Sequence, residues 1–249
     1  EGQPVKELSG DGVVVADQTP FYAESGGQVG DEGVLHGFGK ISDTQKVKDV
    51  FFHWVKREAG TLRVGDTVTF IVSPERRATM RNHSATHLLH AALRKVLGTH
   101  VTQAGSLVES HRLRFDFTHA KPMSSDEIRK VEHLVNLEIK ASRDVGSKVL
   151  SYDAAIKDGA MALFGEKYAD DVRVISMGDF SKELCGGTHV SNTGDIKVFK
   201  ILSESGVSSG VRRIEGITGD KALDYLLNRH EILEQVERTL SVTENQVVD

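Results

Sequence analysis

Two histidines four positions apart are the first residues whose types and spacing could do chemistry. His83 and His87 open the segment "HSATHLLHAALRKVLG" (residues 83–98), in which apolar residues recur with the period of an α-helix. Side chains at positions i and i+4 project from one helix face, about 40° apart around the axis. Such a pair could bind one cation, or it could be two ordinary histidines of a packed helix. A zinc peptidase is excluded, because Ser84 stands where the H-E-x-x-H motif has its glutamate.

A second group of possible ligands lies about a hundred residues later, in "CGGTH" (185–189). Cys185 is the only cysteine, which leaves it three roles: a buried structural residue, a nucleophile or a metal ligand. With His189 and the helical pair it would complete a set of one thiolate and three imidazoles, which suits tetrahedral zinc. Spacing alone leaves open whether the two halves meet. His90 falls close to the same helix face and competes as a ligand.

The residues around the histidine pair predict one long helix, about residues 74–97. Ser73 is a suitable N-cap, Pro74 fits the first helical position, and Glu75 suits the positive end of the helix dipole. Gly98 is a typical stop signal. The apolar stripe that would pack this helix inward comprises Leu88, Leu89, Ala92, Leu93 and Val96.

The chain that follows mixes strand and helix patterns without a regular β-α-β alternation, which predicts an α+β fold. Ser124 and Glu127 form a capping-box pattern for a second helix. A short helix is expected near residues 153–158. Strands are expected in "GSLVES", "HRLRFDFTH", "SKVLS", "VRVISM", "DIKVFKILSE" and "GVRRIEGIT".

Residues 1–73 show short apolar or alternating runs broken by glycines, which predicts a small N-terminal β-barrel. We therefore expect a barrel at 1–73, a mixed α+β domain at 74–219 and a C-terminal helical segment at 220–249. The Gly-Gly loop in "PFYAESGGQVGD" (20–31) is either a simple turn or a place where the backbone approaches phosphate closely.

Charge and composition limit the kinds of partner. The net charge of −5 argues against a general nucleic-acid coat and leaves local contacts open. No run approaches the roughly 18 uncharged apolar residues of a transmembrane helix. The single cysteine suits a reducing cytosol, and a chain that begins at Glu1 is expected to be a fragment or a processed product. Candidate phosphate contacts, each equally able to be a solvated side chain or a plain turn residue, are Arg212, Arg213, Lys197, Lys200, Gly26 and Gly27.

Three segments resemble the editing region of alanyl-tRNA synthetases, in a bacterial pattern. They are "HSATHLLHAALRKVLGTHVTQAGSLVESHRLRFDFTH", "ELCGGTHVSNTGDIKVFKILSESGVSSGVRRIEGITG" and "DQTPFYAESGGQVGD". The resemblance covers nearly the whole chain and is specific in the order, the spacing and the residue identities of its motifs. The region is also similar to free-standing alanyl-tRNA deacylases and, more distantly, to the editing module of threonyl-tRNA synthetases.

The resemblance implies hydrolysis of seryl- or glycyl-tRNA(Ala), within an enzyme that attaches alanine to tRNA(Ala) using ATP. The partner it implies is the acceptor end of mischarged tRNA(Ala), and the location is the cytoplasm. Editing residues are implied at Thr86 and Gln103. An aminoacylation domain is expected before residue 1 and an oligomerisation module after residue 249. The implied cofactor is one zinc ion per chain, held by His83, His87, Cys185 and His189.

Four protein ligands would close a tetrahedral zinc site, so zinc is expected to organise the pocket unless a ligand leaves. Sparing alanine requires a polar pocket, because a smaller side chain cannot be excluded by size. Thr86 would line that pocket, or its hydroxyl would bond back to the carbonyl of Asn82. Gln103 would line it too, or lie on the surface. Glycine lacks the hydroxyl, so a pocket that selects a hydroxyl does not account for the removal of glycine. The alternative function is a non-catalytic, zinc-stabilised tRNA-binding module.

Overall fold

A computed structural model describes residues 2–162, 169–241 and 243, and within them it confirms the predicted α+β class. The helices are α1 (Arg76–Leu97), α2 (Ser125–Lys140), α3 (Tyr152–Lys157) and α4 (Gly219–Leu240), with a 3-10 turn at Thr193–Ile196. The strands are β1 (Glu7–Leu8), β2 (Gly12–Val14), β3 (Gly33–Leu35), β4 (Gly39–Val47), β5 (Val50–Arg57), β6 (Leu62–Arg63), β7 (Phe70–Val72), β8 (Gln103–Val108), β9 (Leu113–Thr118), β10 (Val145–Ser151), β11 (Asp171–Met177), β12 (Ser181–Leu184), β13 (Phe199–Ser208) and β14 (Val211–Thr218).

The first part of the chain builds a five-stranded antiparallel sheet in the order β2-β5-β4-β3-β7. Strands β1 and β6 pair only with each other in the described part. The closed barrel predicted at 1–73 is not confirmed, because no described strand bridges the edges β2 and β7. The core of this sheet comprises Phe21, Leu35, Phe38, Ile41 and Val55.

The main core lies between α1, α2 and a four-stranded antiparallel sheet in the order β13-β14-β9-β8. Leu113, Phe115 and Phe117 occupy alternate positions of β9 and are fully buried, as strand periodicity predicts. Helix α1 packs against α2 and against β8, β9 and β14. Burial of each large apolar side chain contributes about 1.5–3 kcal/mol, so this interface holds α1 and its polar residues firmly.

Helix α1 confirms the predicted helix and its end, but it begins two residues later than expected. Arg76 donates its backbone N–H to the carbonyl of Ser73 at 3.1 Å, so Pro74 and Glu75 form a tighter turn before the regular helix. Gly98, with φ of 119°, ends the helix as predicted.

Residues 79–90 of α1 include many buried polar side chains. Buried polar groups require partners, so this stretch of helix must be matched by polar groups on the elements packed against it. The buried polar residues are Thr79, Asn82, His83, Ser84, Thr86, His87 and His90.

A three-stranded sheet, β10-β11-β12, brings the second ligand segment to α1. Strand β12 packs against α1 and ends at Leu184, directly before Cys185. This four-residue strand was not among the predicted strands. The site is therefore assembled where the end of β12 meets the buried face of α1.

The remaining helices agree with the sequence pattern. The capping box is confirmed, since Ser124 donates its backbone N–H to Glu127 Oε2 at 2.7 Å and Glu127 donates to Ser124 Oγ at 3.2 Å. Within the predicted segment 220–249, α4 is present, whereas residues 242 and 244–249 lie outside the described residues. None of the described helices combines the length and apolar character needed to cross a membrane. The predicted domain boundaries stay a prediction.

Candidate metal centre

The four side chains predicted as metal ligands lie together. Ligand atoms of His83, His87, Cys185 and His189 are all within 4.8 Å of one another. His83 and His87 are 6% and 7% exposed, and their rings stack with centroids 5.2 Å apart. The two halves that are distant in sequence therefore meet between α1 and the segment that follows β12.

The spacing of this cluster fits a tetrahedral zinc ion. Cys185 Sγ lies 3.4 Å from His83 Nε2 and 3.3 Å from His189 Nε2. Zinc–sulfur and zinc–nitrogen bonds of about 2.3 and 2.0–2.1 Å place such ligands about 3.5 Å apart. His87 Nε2 is buried and has no hydrogen-bond partner among the described residues, and a bond to a metal would satisfy it. The donor types and the two distances from Cys185 Sγ suit zinc.

Glu183 orients His87 from outside the cluster. Its Oε2 lies 2.8 Å from His87 Nδ1, and its Oε1 lies 3.1 Å from His90 Nδ1. A carboxylate on the second ring nitrogen fixes which nitrogen of a ligand histidine faces a metal. The same carboxylate contacts His90, which lies outside the cluster. Sequence reasoning missed Glu183, whose only signal is its place two residues before Cys185.

Ser84 ties the ligand segment to α1. Its buried hydroxyl accepts a hydrogen bond from the backbone N–H of Val190 at 3.1 Å and lies 3.4 Å from His189 Nδ1. The position at which a zinc peptidase carries its glutamate is thus used here to join two elements.

Gln28 reaches the cluster from the Gly-Gly loop of the N-terminal part. Its Oε1 lies 2.7 Å from His83 Nδ1. A Cβ atom on Gly187 would lie 2.1 Å from His83 Cε1 and 2.9 Å from Gln28 Oε1, so this glycine leaves space for both side chains. Sequence reasoning missed Gln28, because a glutamine in a glycine-rich loop carries no metal-site pattern.

Charges within the cluster shift its protonation. Burial opposes a thiolate, but His83 and His87 outweigh it and hold the pKa of Cys185 well below its ordinary value. Burial and the neighbouring His83 lower the pKa of His189 to about 3. Burial also opposes a charged His87, yet the Glu183 carboxylate raises the pKa of His87 to about 10. The cluster therefore already offers a thiolate and a neutral imidazole, the forms that ligate zinc.

The two predicted editing residues lie in different surroundings. Thr86 is 4% exposed and donates its hydroxyl to the carbonyl of Asn82 at 2.9 Å, which is the back-bond the sequence allowed. Gln103 begins β8, is half-buried, and makes no side-chain hydrogen bond to the residues the structure describes. The editing roles of both stay predictions.

The basic residues predicted to contact RNA each face a carboxylate. A phosphate would have to compete with these ion pairs, two of which are bidentate. In the loop, Gly27 lies against Ser106, whereas a Cβ atom on Gly26 would have no described atom within 4 Å. RNA contact stays a prediction for all six residues. The ion pairs are Arg212–Glu204, Arg213–Asp116, Lys200–Glu132 and Lys197–Asp220.

Two family models match separate parts of the chain. The model described as tRNA synthetases class II (A) matches residues 3–76. The model described as Threonyl and Alanyl tRNA synthetase second additional domain matches residues 172–215, which include Cys185 and His189. The chain is thus similar to class II aminoacyl-tRNA synthetases.

Individual relatives of the chain share one name. Alanine–tRNA ligases of Bdellovibrio bacteriovorus, Nitrosomonas europaea and Bordetella pertussis are 59%, 57% and 55% identical over 90%, 92% and 94% of this chain. The chain spans 25%, 27% and 28% of the length of these relatives. It is homologous to one segment of the bacterial alanine–tRNA ligases, about a quarter of their length.

Proposed function

We propose that this chain is an editing region that hydrolyses mischarged seryl- and glycyl-tRNA(Ala). The observation that carries the proposal is the convergence of His83, His87, Cys185 and His189 in a chain homologous to alanine–tRNA ligases. In the reaction, water adds to the ester carbonyl carbon and the bond to the terminal ribose oxygen breaks. The products are the free amino acid and uncharged tRNA.

One zinc ion per chain is the proposed cofactor, with those four side chains as its ligands. Their separations and the unpartnered Nε2 of His87 support this assignment. A bound zinc ion supplies a fixed positive charge beside the pocket and cross-links α1 to the segment after β12. Because four ligands complete a tetrahedral shell, polar side chains of the chain and the tRNA itself would place the attacking water.

Thr86 and Gln103 are the proposed residues that distinguish serine from alanine. A hydroxyl whose hydrogen is already donated to Asn82 still has lone pairs with which to accept from the seryl hydroxyl. The amide of Gln103 offers both a donor and an acceptor. Alanine would leave these groups unpaired, and such sites reject the analogue lacking the hydroxyl by roughly 10⁴-fold or more.

Single-turnover deacylation of seryl- and alanyl-tRNA(Ala) by the zinc-loaded chain tests this function. Seryl ester should be cleaved much faster than alanyl ester. Thr86→Val or Gln103→Leu should each narrow the rate ratio roughly ten- to a hundredfold, the value of one buried hydrogen bond. Cleavage of neither ester by the zinc-loaded wild-type chain, under conditions where an intact alanine–tRNA ligase clears seryl-tRNA(Ala), would contradict a self-contained editing site.

A non-catalytic, zinc-stabilised tRNA-binding module is the second candidate. Two observations favour it: the cluster offers four side chains, enough to saturate a tetrahedral ion, and the Thr86 hydroxyl already bonds within α1. This module would bind tRNA(Ala) and cleave neither ester, so the deacylation assay separates the two candidates.

We further propose that the chain acts within a longer alanine–tRNA ligase, in the cytoplasm. That whole enzyme would attach alanine to tRNA, as the names of the relatives indicate, and would use ATP, as the family resemblance implies. The proposed units are an N-terminal sheet unit at 1–73, the editing domain at 74–219 and a helical linker at 220–249.

A further inference from the structure

We infer that Gln28 is a positioning residue of the metal centre, which fixes the tautomer and orientation of the ligand His83. The inference rests on the proposed metal site and goes beyond it. It makes the site depend on the N-terminal part of the chain, because Gln28 lies within residues 3–76, whereas His83 lies on α1.

The hydrogen bonds of Gln28 with Thr188 allow one arrangement of its amide. The backbone N–H of Thr188 can only donate, so the Gln28 atom 2.9 Å from it is the acceptor Oε1. The amide nitrogen, Nε2, then donates to Thr188 Oγ1 at 2.8 Å. The orientation of the amide is therefore set independently of His83.

This orientation determines which nitrogen of His83 carries hydrogen. Gln28 Oε1 can only accept, so His83 Nδ1, 2.7 Å away, must be the donor. The neutral ring then presents the lone pair of Nε2 on the side of Cys185 Sγ, 3.4 Å away. A histidine that binds a metal through Nε2 needs this tautomer. Gln28 thus engages Nδ1 of His83 with a neutral amide, as Glu183 engages Nδ1 of His87 with a carboxylate.

The loop that carries Gln28 is held tightly in place. Gly26 and Gly27 have φ of 57° and 85°, a turn that L side chains rarely adopt. Gly27 approaches β8 so closely that a Cβ atom there would lie 2.6 Å from the carbonyl oxygen of Ser106. Val108 donates its backbone N–H to the Gly27 carbonyl at 2.7 Å. Gln28 is 0% exposed, so its acceptor is presented to His83 from a fixed backbone.

The test compares the zinc affinity of three variants of the whole chain by competition with a chelating indicator. Gln28→Met keeps the length and removes the acceptor, so it should weaken zinc binding roughly 10- to 100-fold. Gln28→Glu keeps an acceptor for His83 and for the Thr188 N–H, so it should bind zinc more tightly than Gln28→Met. Gln45→Met, at an exposed position of β4, is the matched control and should leave zinc affinity unchanged.

Cobalt substitution supplies a readout that a merely structural contact would not move. Gln28→Met should perturb the visible absorption bands of tetrahedral Co²⁺, whereas Gln28→Glu and Gln45→Met should retain the wild-type bands. A folded Gln28→Met variant with wild-type affinity and an unchanged spectrum would overturn the inference. If Gln28→Met does not fold, Gln28→Asn, which is one methylene too short to reach His83, carries the same expectation. Failure of the wild-type chain to bind zinc would instead overturn the metal site itself.

Discussion

The three histidines of α1 take different parts in this site, although a side chain engages Nδ1 in each of them. His83 and His87 have Nδ1 engaged by Gln28 and Glu183, which leaves Nε2 for the cluster. His90 lies about one helical turn further on and shares Glu183, yet it stays outside the cluster. Because His87 and His90 share one partner through the same ring atom, position along α1, and not pairing of Nδ1, separates the predicted ligands from their neighbour.

The four side chains of the cluster could be proposed from sequence because their types and the i, i+4 spacing of the histidine pair are local signals, and the structure shows that they lie together. Their supporting residues could not, because Gln28 and Glu183 are ordinary polar residues whose role arises from contacts made only in the folded chain. Ser84 stands where a zinc peptidase has its glutamate, and its bond to Val190 joins residues far apart in sequence, so it has no local signal.

Zinc affinity is expected to increase with pH. Burial opposes protonation of His87, but Glu183 outweighs burial and raises the pKa of His87 to about 10, so zinc must displace a proton below that pH. Affinity should rise about tenfold per pH unit for each proton displaced, between about pH 6 and 8. Chelator competition across this range measures the slope. Glu183→Gln removes the carboxylate that raises the pKa and should flatten the slope; a pH-independent wild-type affinity would contradict the assignment.

At the scale of elements, the long helices and apolar strands could be predicted, and the polar or very short strands could not. Strand β4 has only a weak apolar alternation, because in "GKISDTQKV" few side chains besides Ile41 and Thr44 are buried, and such a pattern does not predict a strand. Closure of the N-terminal sheet depends on pairing between β2 and β7, which local pattern does not encode. The start of α1 shifted because Ser73 caps a tight turn and not the helix itself.

Asn82 is expected to hold α1 to the main sheet. It is 2% exposed, donates to the Glu109 carbonyl at 2.7 Å and accepts from Thr218 Oγ1 at 2.6 Å. Asn82→Ala should lower the free energy of unfolding by about 2–4 kcal/mol, because both partners are left unsatisfied. Urea unfolding of the zinc-loaded chain measures the change. Asn228→Ala on exposed α4 is the control, and an equally small effect of both substitutions would rule out this role.

At the scale of the whole molecule, the metal centre joins parts that the chain order separates. Gln28 comes from the N-terminal part, the histidine pair from α1, and Cys185 with His189 from the segment after β12. The loop at residues 24–30 also adds a backbone contact to the edge of β8. Metal binding should therefore stabilise the packing of all these parts together, because the four ligands are brought close only in the fold.

Arg213 is expected to stabilise the fold rather than to contact RNA. Its guanidinium donates to both oxygens of Asp116, a residue that is 8% exposed, at 2.7 and 2.8 Å. Arg213→Met should lower the free energy of unfolding by about 1–3 kcal/mol, because the carboxylate loses a charged partner. Arg238→Met, in an exposed pair on α4, is the control for loss of charge.

The salt dependence of tRNA binding by the same two variants tests the RNA role. A phosphate contact by Arg213 would reduce the slope by roughly 0.7–0.9. An unchanged slope together with lost stability would assign Arg213 to the fold alone. A reduced slope with no loss of stability would contradict the internal role.

The central claim, a zinc ion held by one thiolate and three imidazoles, is tested most directly by X-ray absorption at the zinc edge of the purified, zinc-loaded chain. The account predicts about one zinc per chain, with one sulfur ligand at about 2.3 Å and three nitrogen ligands at about 2.0–2.1 Å. Cys185→Ser should remove the sulfur shell. A wild-type zinc shell made only of nitrogen and oxygen ligands would contradict the assignment of Cys185 and the centre built around it.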